Sequence, residues 1–190
     1  MQAETKKERL LKEAFKLFHE KGFKGTTIKD IAEQMGFEVA NVYNYIDSKQ
    51  TLLEDSLFRI SQAFHEGIDF ILASSYTPLE KLKEIIRLHV RMSMDYPYEM
   101  ALHTDEWRHL KEEKRERFVE ERKAYEKKVR SMIEDGMKAN EIRSMDAEIA
   151  THAVLSAVRW LYAWSTDHAV HFNPIELEKQ LTEFIIQGLK

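Results

Sequence analysis

The sequence predicts an all-α chain. Three observations support this: only 3 prolines and 6 glycines interrupt 190 residues, no run of alternating β-branched residues occurs, and apolar residues recur at helical spacing along most of the length. The length fits one large domain or two small ones. A hydrophobic fraction of 43% supplies a core, and a charged fraction of 33% supplies a solvated surface. The net charge is −4, so any nucleic-acid binding must be confined to one local face of an otherwise acidic protein. Cysteine is absent, which excludes disulfides, thiolate nucleophiles and cysteine-ligated zinc. No N-terminal apolar run resembles a signal peptide, and no stretch is long and apolar enough to span a bilayer. The expectation is a soluble cytoplasmic protein with no membrane partner.

Taken in order, the first helix runs from about Lys6 to Lys21, with Leu10, Ala14, Leu17 and Phe18 on one face, and closes at Gly22. Thr26 or Thr27 can cap a second helix, whose inward residues are Ile28, Ile31, Ala32 and Met35 and whose end is marked by Gly36. A third, short helix follows from about Val39 to Tyr45. It turns Val42 and Ile46 inward and leaves Asn41, Tyr43, Asn44 and Tyr45 to point elsewhere. Two short helices joined by a tight glycine turn are the sequence form of a helix-turn-helix, although such a turn also occurs in ordinary bundles. The outward face separates the two readings. Asn41 and Asn44 suit adenine edges, Tyr43 and Tyr45 carry hydroxyls that can reach phosphate, and Lys49 at the next helix start can hold phosphate. An ordinary bundle surface would show Glu and Lys in these places.

A longer helix from about Lys49 to Ser74 carries Leu52, Leu53, Leu57, Ile60, Phe64, Ile68 and Ile71 on one side, and leads out of the first module as its mechanical link. Thr77-Pro78 starts the next, with Leu82, Ile85, Ile86, His89, Val90 and Met94 inward, and Tyr96-Pro97 stops it. A short piece then leads to a strongly charged helix, about Asp105 to Met137, ended by Gly136 and Asn140. Its alternating charges read as a solvated face. Two last helices, about Asp146 to His168 and Pro174 to Leu189, carry apolar faces beyond what one packed domain needs, and small residues on the first allow close approach. These two and their symmetry mates form the expected homodimer interface, because major-groove readers commonly bind paired half-sites as two-fold dimers.

The run Ala14-Phe-x-Leu-Phe-x-x-Lys-Gly-Phe-x-x-Thr-Thr-Ile-x-x-Ile-Ala-x-x-Met-Gly-Phe-x-x-Ala-x-Val-Tyr-x-Tyr-Ile-x-Ser-Lys49 closely resembles, in order and spacing, the N-terminal domain of TetR-family transcriptional repressors. The resemblance implies a three-helix DNA-binding domain over 1–48 and a ligand-binding and dimerisation bundle over 49–190, about nine helices in all. It implies phosphate contacts at Thr27, Tyr43 and Lys49. The DNA-binding set is then Thr27, Lys29, Val39, Ala40, Asn41, Tyr43, Asn44, Tyr45 and Lys49, acting on a double-stranded palindromic operator. Two departures bear on base preference: Glu38 stands where the family usually has Ser, and Ala40 where Gly is common.

In the second module His89, Met92, Met94, Tyr96, His103, Trp107, Arg159, Trp160, Tyr162 and Trp164 put polar and aromatic groups on faces that should point inward, as a small-molecule pocket between helices requires. Arg159-Trp-Leu-Tyr-Ala-Trp164 and Glu106-Trp-Arg-His-Leu110 resemble the TetR branch that represses fatty-acid, phenylacetate and sterol-ring degradation and responds to acyl-coenzyme A thioesters. That implies an acyl-CoA effector whose phosphates Arg108, Arg115, Arg122 or Arg159 could pair, beside Trp160 or Trp164. The branch's usual Asn before the first Trp is Arg159 here. The alternative effector is a lipophilic drug or other free small molecule, which needs only the apolar cavity. No His-Glu-x-x-His, glycine-rich phosphate loop or Gly-x-Ser-x-Gly elbow occurs, so no catalytic residues and no enzyme are expected. His168 and His171 are close in sequence and with His152 could bind a metal, but spacing of this kind near a helix end is a weak signal, and no metal or cofactor is expected beyond the effector.

Overall fold

The computed structural model describes residues 5–166 and 173–190. Within them the chain forms ten α-helices and no strand: α1 Lys6–Lys21, α2 Ile28–Met35, α3 Val39–Val42, α4 Lys49–Leu72, α5 Pro78–Asp95, α6 Pro97–Asp105, α7 Glu112–Lys138, α8 Ala147–Arg159, α9 Leu161–Thr166 and α10 Pro174–Leu189, with a 3-10 turn over Trp107–His109. His168 and His171 lie outside the described residues.

Local chemistry explains most of these boundaries. Thr5, Thr27 and Thr77 each form a capping box, with Glu8, Asp30 and Glu80 respectively, satisfying helix-start N–H groups that would otherwise lack partners. Ser48 Oγ accepts the Thr51 N–H at 2.9 Å at the start of α4. Gly36 ends α2 at φ 67°, the left-handed conformation that glycine adopts without steric cost.

Three elements differ from the sequence reading. The recognition helix is regular only over Val39–Val42, and the chain continues through Tyr45 in turns, the N–H groups of Asn44 and Tyr45 bonding back three residues to Asn41 and Val42. Glu38 at its start makes no side-chain capping bond, so this short helix lacks the side-chain cap that α1, α2 and α5 have. The charged helix starts at Glu112, because α6 and the 3-10 turn occupy the preceding residues and Leu110 is extended. Gly136 lies inside α7, where a Cβ would meet Ile142 Cδ1 at 2.6 Å, and the reversal falls at Asn140, φ 58°. The helix expected over Asp146–His168 breaks at Trp160, giving α8 and α9.

By packing, the chain divides into two units, residues 1–60 with 98–118 and residues 61–97 with 119–190, bounds that differ from the 1–48 and 49–190 division. The core of the first unit comprises Leu10, Ala14, Phe18, Phe23, Ile31, Val42, Leu53 and Leu57, joined by Leu102, Leu110 and Phe118 from α6, the segment after it and α7. Phe18 meets Phe23 edge to face at 5.4 Å. In the second unit α5 packs on α8, α9 and α10, burying Leu82, Ile85, Ile86, Val154, Val158, Leu161 and Ile186. The outer side of α7 carries ion pairs such as Arg122–Glu126 and Arg130–Glu134, the solvated face expected of it.

Candidate nucleic-acid interface and effector module

The surface presented after α2 is built from the inside out. Val42 and Ile46 are buried and act as anchors, which leaves Val39, Ala40, Asn41, Tyr43 and Asn44 exposed, Tyr43 by 54%. That row offers two side-chain amides for base edges, a phenol for phosphate and two small apolar groups for thymine methyls. Lys29 is exposed on α2, in a loose pair with Glu33 at 3.7 Å. Thr27 is exposed and caps α2, its hydroxyl donating to Asp30 and accepting the Asp30 N–H. The Lys21 ammonium at 2.7 Å, together with Thr27, holds the Asp30 carboxyl well below the usual carboxylate range.

Two residues are placed differently from the expectation. The Tyr45 ring stacks on Phe37 at 5.9 Å and is half-buried against the core, so it supports the recognition turn from behind. Lys49 points inward: Nζ donates to the carbonyls of Phe23 and Thr26, each at 2.7 Å, and sits 4.4 Å from the centre of the Phe23 ring. It braces the α1–α2 loop, with one N–H left for a phosphate. The same loop is held by residues to which the sequence assigned no part in it. Glu106 accepts the Phe23 N–H at 3.3 Å and pairs with His109 at 3.2 Å, the His109 ring stacks on Phe23 at 5.6 Å, and Gln50 donates to the His109 carbonyl at 3.1 Å. Glu106 and His109 stood out in the sequence only within the Glu106–Leu110 run that resembles the acyl-coenzyme A branch.

The residues expected to line an effector pocket or to hold its phosphates fall into two groups. His103, Trp107 and Arg108 belong to the first unit: Trp107 stacks on Phe118 at 6.0 Å, His103 meets the same ring at 4.9 Å, and Arg108 covers Trp107 at 4.9 Å. His89, Met92, Tyr96, Arg159, Trp160, Tyr162 and Trp164 belong to the second. There Trp160 and Trp164 pack edge to face at 4.3 Å across the α8–α9 break, and Ser165 donates to the Met94 sulfur at 3.6 Å. Met92 is buried, Arg159, Trp160 and Tyr162 are half-buried, and Tyr96 and Trp164 are more open. His89 lies 4.6 Å from Phe64 and bonds through Nε2 to the Tyr125 hydroxyl at 3.0 Å. Burial, helped by the Arg159 charge, lowers its pKa to about 3, so the imidazole is neutral at physiological pH. Arg115 and Arg122 lie on α7, and Arg122 pairs with Glu126. Among the described residues no three His, Asp or Glu side chains group as a metal site, and no helix is long and apolar enough to cross a membrane.

A helix-turn-helix with an exposed amide and phenol face, carried on a helical bundle, defines a DNA-binding regulator. The model of the family described as bacterial regulatory proteins, tetR family, matches residues 10–55, and that of the tetracyclin repressor-like C-terminal domain matches residues 75–189. The chain belongs to the TetR family of transcriptional regulators. It is 24% identical over 165 residues to the HTH-type transcriptional repressor KstR2 of Mycolicibacterium smegmatis, covering 84% of this chain and 80% of that one. Its fold matches the ketosteroid transcriptional regulator KstR2 of Mycobacterium tuberculosis with a TM-score of 0.90 at 18% identity, over 100% of this chain and 97% of that one. It also matches AibR, solved with isovaleryl coenzyme A and operator DNA, with a TM-score of 0.78 at 20% identity over 97% and 98% of the two chains.

Proposed function

We propose that the protein is a homodimeric repressor that binds a palindromic operator and is released from it by an acyl-coenzyme A thioester. The observation that carries the effector reading is the second unit's combination of a half-buried cation, Arg159, with the Trp160–Trp164 pair and a neutral His89. This supplies a phosphate partner, flat apolar walls and a polar group within one unit. The bound ligand of AibR, a structural neighbour, supports the same class. Dimerisation through α8 and α10 is supported by Ile149, Ile175 and Phe184, which are 70%, 78% and 75% exposed in the single chain, where an isolated protein would place polar residues. The DNA-contacting set is Thr27, Lys29, Val39, Ala40, Asn41, Tyr43 and Asn44, with Lys49 contributing its remaining N–H. Release requires only that the thioester bind better to a conformation whose recognition surfaces do not fit successive major grooves.

The test is thermal denaturation with a panel of acyl-CoA thioesters, their free acids and lipophilic drugs. A thioester at one hundred times its dissociation constant stabilises by about 2.7 kcal/mol. Stabilisation by thioesters alone, lost in Arg159→Ala, is the expected result; stabilisation by free drugs alone would replace the effector class. A mass equal to one chain at micromolar concentration would contradict the dimer.

A further inference from the structure

Within the first unit, Lys7, Leu11 and Phe15 recur every four residues on α1, and Leu52, Asp55, Ser56 and Arg59 recur every three or four on α4. Each set therefore lies on one side of its helix. Together with Tyr45, Ile46 and Asp47, where the recognition turn ends, they line a cleft of about 320 Å³, at the small end of the range for ligand pockets. Ser56 is only 2% exposed, and its hydroxyl has no hydrogen-bond partner. Buried polar atoms are almost always paired, and this one lines a space that can hold the missing partner. Around it Leu11, Phe15, Tyr45 and Leu52 supply apolar and aromatic walls. The charges of the cleft are unbalanced. Arg59 is committed to Glu99 at 2.9 Å, whereas Asp47 and Asp55 are exposed and make no ion pair or side-chain hydrogen bond among the described residues. Two carboxylates are thus set against the one ammonium of Lys7.

We propose that this cleft is a second small-molecule site, carried by the DNA-binding unit itself, for a small organic cation. Asp47 and Asp55 attract its ammonium, Leu11, Phe15 and Tyr45 cover an apolar or aromatic body, and Ser56 bonds a hydroxyl carried on that body. The phosphates of an acyl-CoA would meet the two carboxylates here, so the cleft and the proposed effector module select ligands of opposite charge. Its occupant touches Tyr45 and Ile46, which support and anchor the recognition turn.

The experiment is calorimetric titration of the full chain with three matched compounds: tyramine, phenethylamine, which lacks the hydroxyl, and 3-(4-hydroxyphenyl)propionate, which reverses the charge. Wild type is expected to bind tyramine about tenfold more tightly than either of the others. Ser56→Ala removes the advantage of tyramine over phenethylamine. It leaves the melting temperature of the free protein unchanged, because the lost hydroxyl bonds to nothing there, so the loss is not one of folding. Asp47→Asn combined with Asp55→Asn weakens both amines about fivefold and leaves the acid no weaker than before. Equal affinity for the three compounds, a tyramine preference that survives Ser56→Ala, or binding of none of them overturns the inference. Each of these results leaves the thioester reading standing, since that reading is tested by a different ligand and by Arg159 in the second unit.

Discussion

Replacing Lys49 by Met removes the ammonium and keeps most of the apolar stem. The structure makes this a stability mutation before it is a DNA-binding mutation, because Nζ donates to two carbonyls, Phe23 and Thr26, at 2.7 Å and lies over the Phe23 ring at 4.4 Å. A hydrogen bond from a charged donor contributes about 1.5–3 kcal/mol, and a cation–π contact at an exposed site about 0.5–1 kcal/mol. Lys49 is half-buried, so water takes over part of each contact, and the expected net loss is about 2–3 kcal/mol. Urea unfolding at fixed protein concentration, followed by tryptophan fluorescence and far-ultraviolet circular dichroism, measures it. Operator affinity measured against salt supplies the second arm, where loss of one phosphate contact lowers the slope by about 1. A stability change under about 0.5 kcal/mol with the full loss of slope would show that Lys49 serves phosphate alone, and would refute the brace.

Burial places the His89 pKa at about 3 in the folded chain, against 6.5 for the ordinary residue. The unfolded chain therefore binds more protons between those values, and stability falls as pH drops below 6.5, by about 1.4 kcal/mol per pH unit, or roughly 2 kcal/mol at pH 5. His89→Phe should flatten that part of the unfolding profile, and an unchanged profile would show that other groups set it. Gly136→Ala places a methyl 2.6 Å from Ile142 Cδ1, and overpacking of this kind costs about 1–3 kcal/mol; a neutral result in thermal denaturation would mean that Ile142 moves aside freely. Tyr43→Phe should weaken binding to all DNA sequences alike, whereas Asn44→Ala should relax preference at one position of the site. Selection from random duplexes checks both, and an unchanged selected site for Asn44→Ala would remove its base-reading role.

Much of the fold was legible because helix ends were written in residues with one job each. Thr77 followed by Pro78 and Glu80, and Gly22 and Gly36 after apolar faces, fix boundaries by local hydrogen bonding, and α1 and α10 fall on the expected residues. What local pattern could not show was set by tertiary contacts. Leu102, Leu110 and Phe118 join the core of the first unit although they lie far along the chain, and their packing accompanies the break that delays α7 to Glu112. Lys49 and Tyr45 have the chemistry of phosphate contacts, and only the three-dimensional structure shows one drawn to carbonyls and the other to Phe37.

Repression by an operator-bound dimer that a thioester releases is decided by selecting bound sequences from random duplex DNA with the purified protein, with and without the thioester that stabilises it most. One enriched inverted repeat is expected, with half-sites about one helical turn apart, whose recovery is lost when the thioester is added. Enrichment of no sequence, or of a single half-site whose recovery is indifferent to every stabilising ligand, would contradict it.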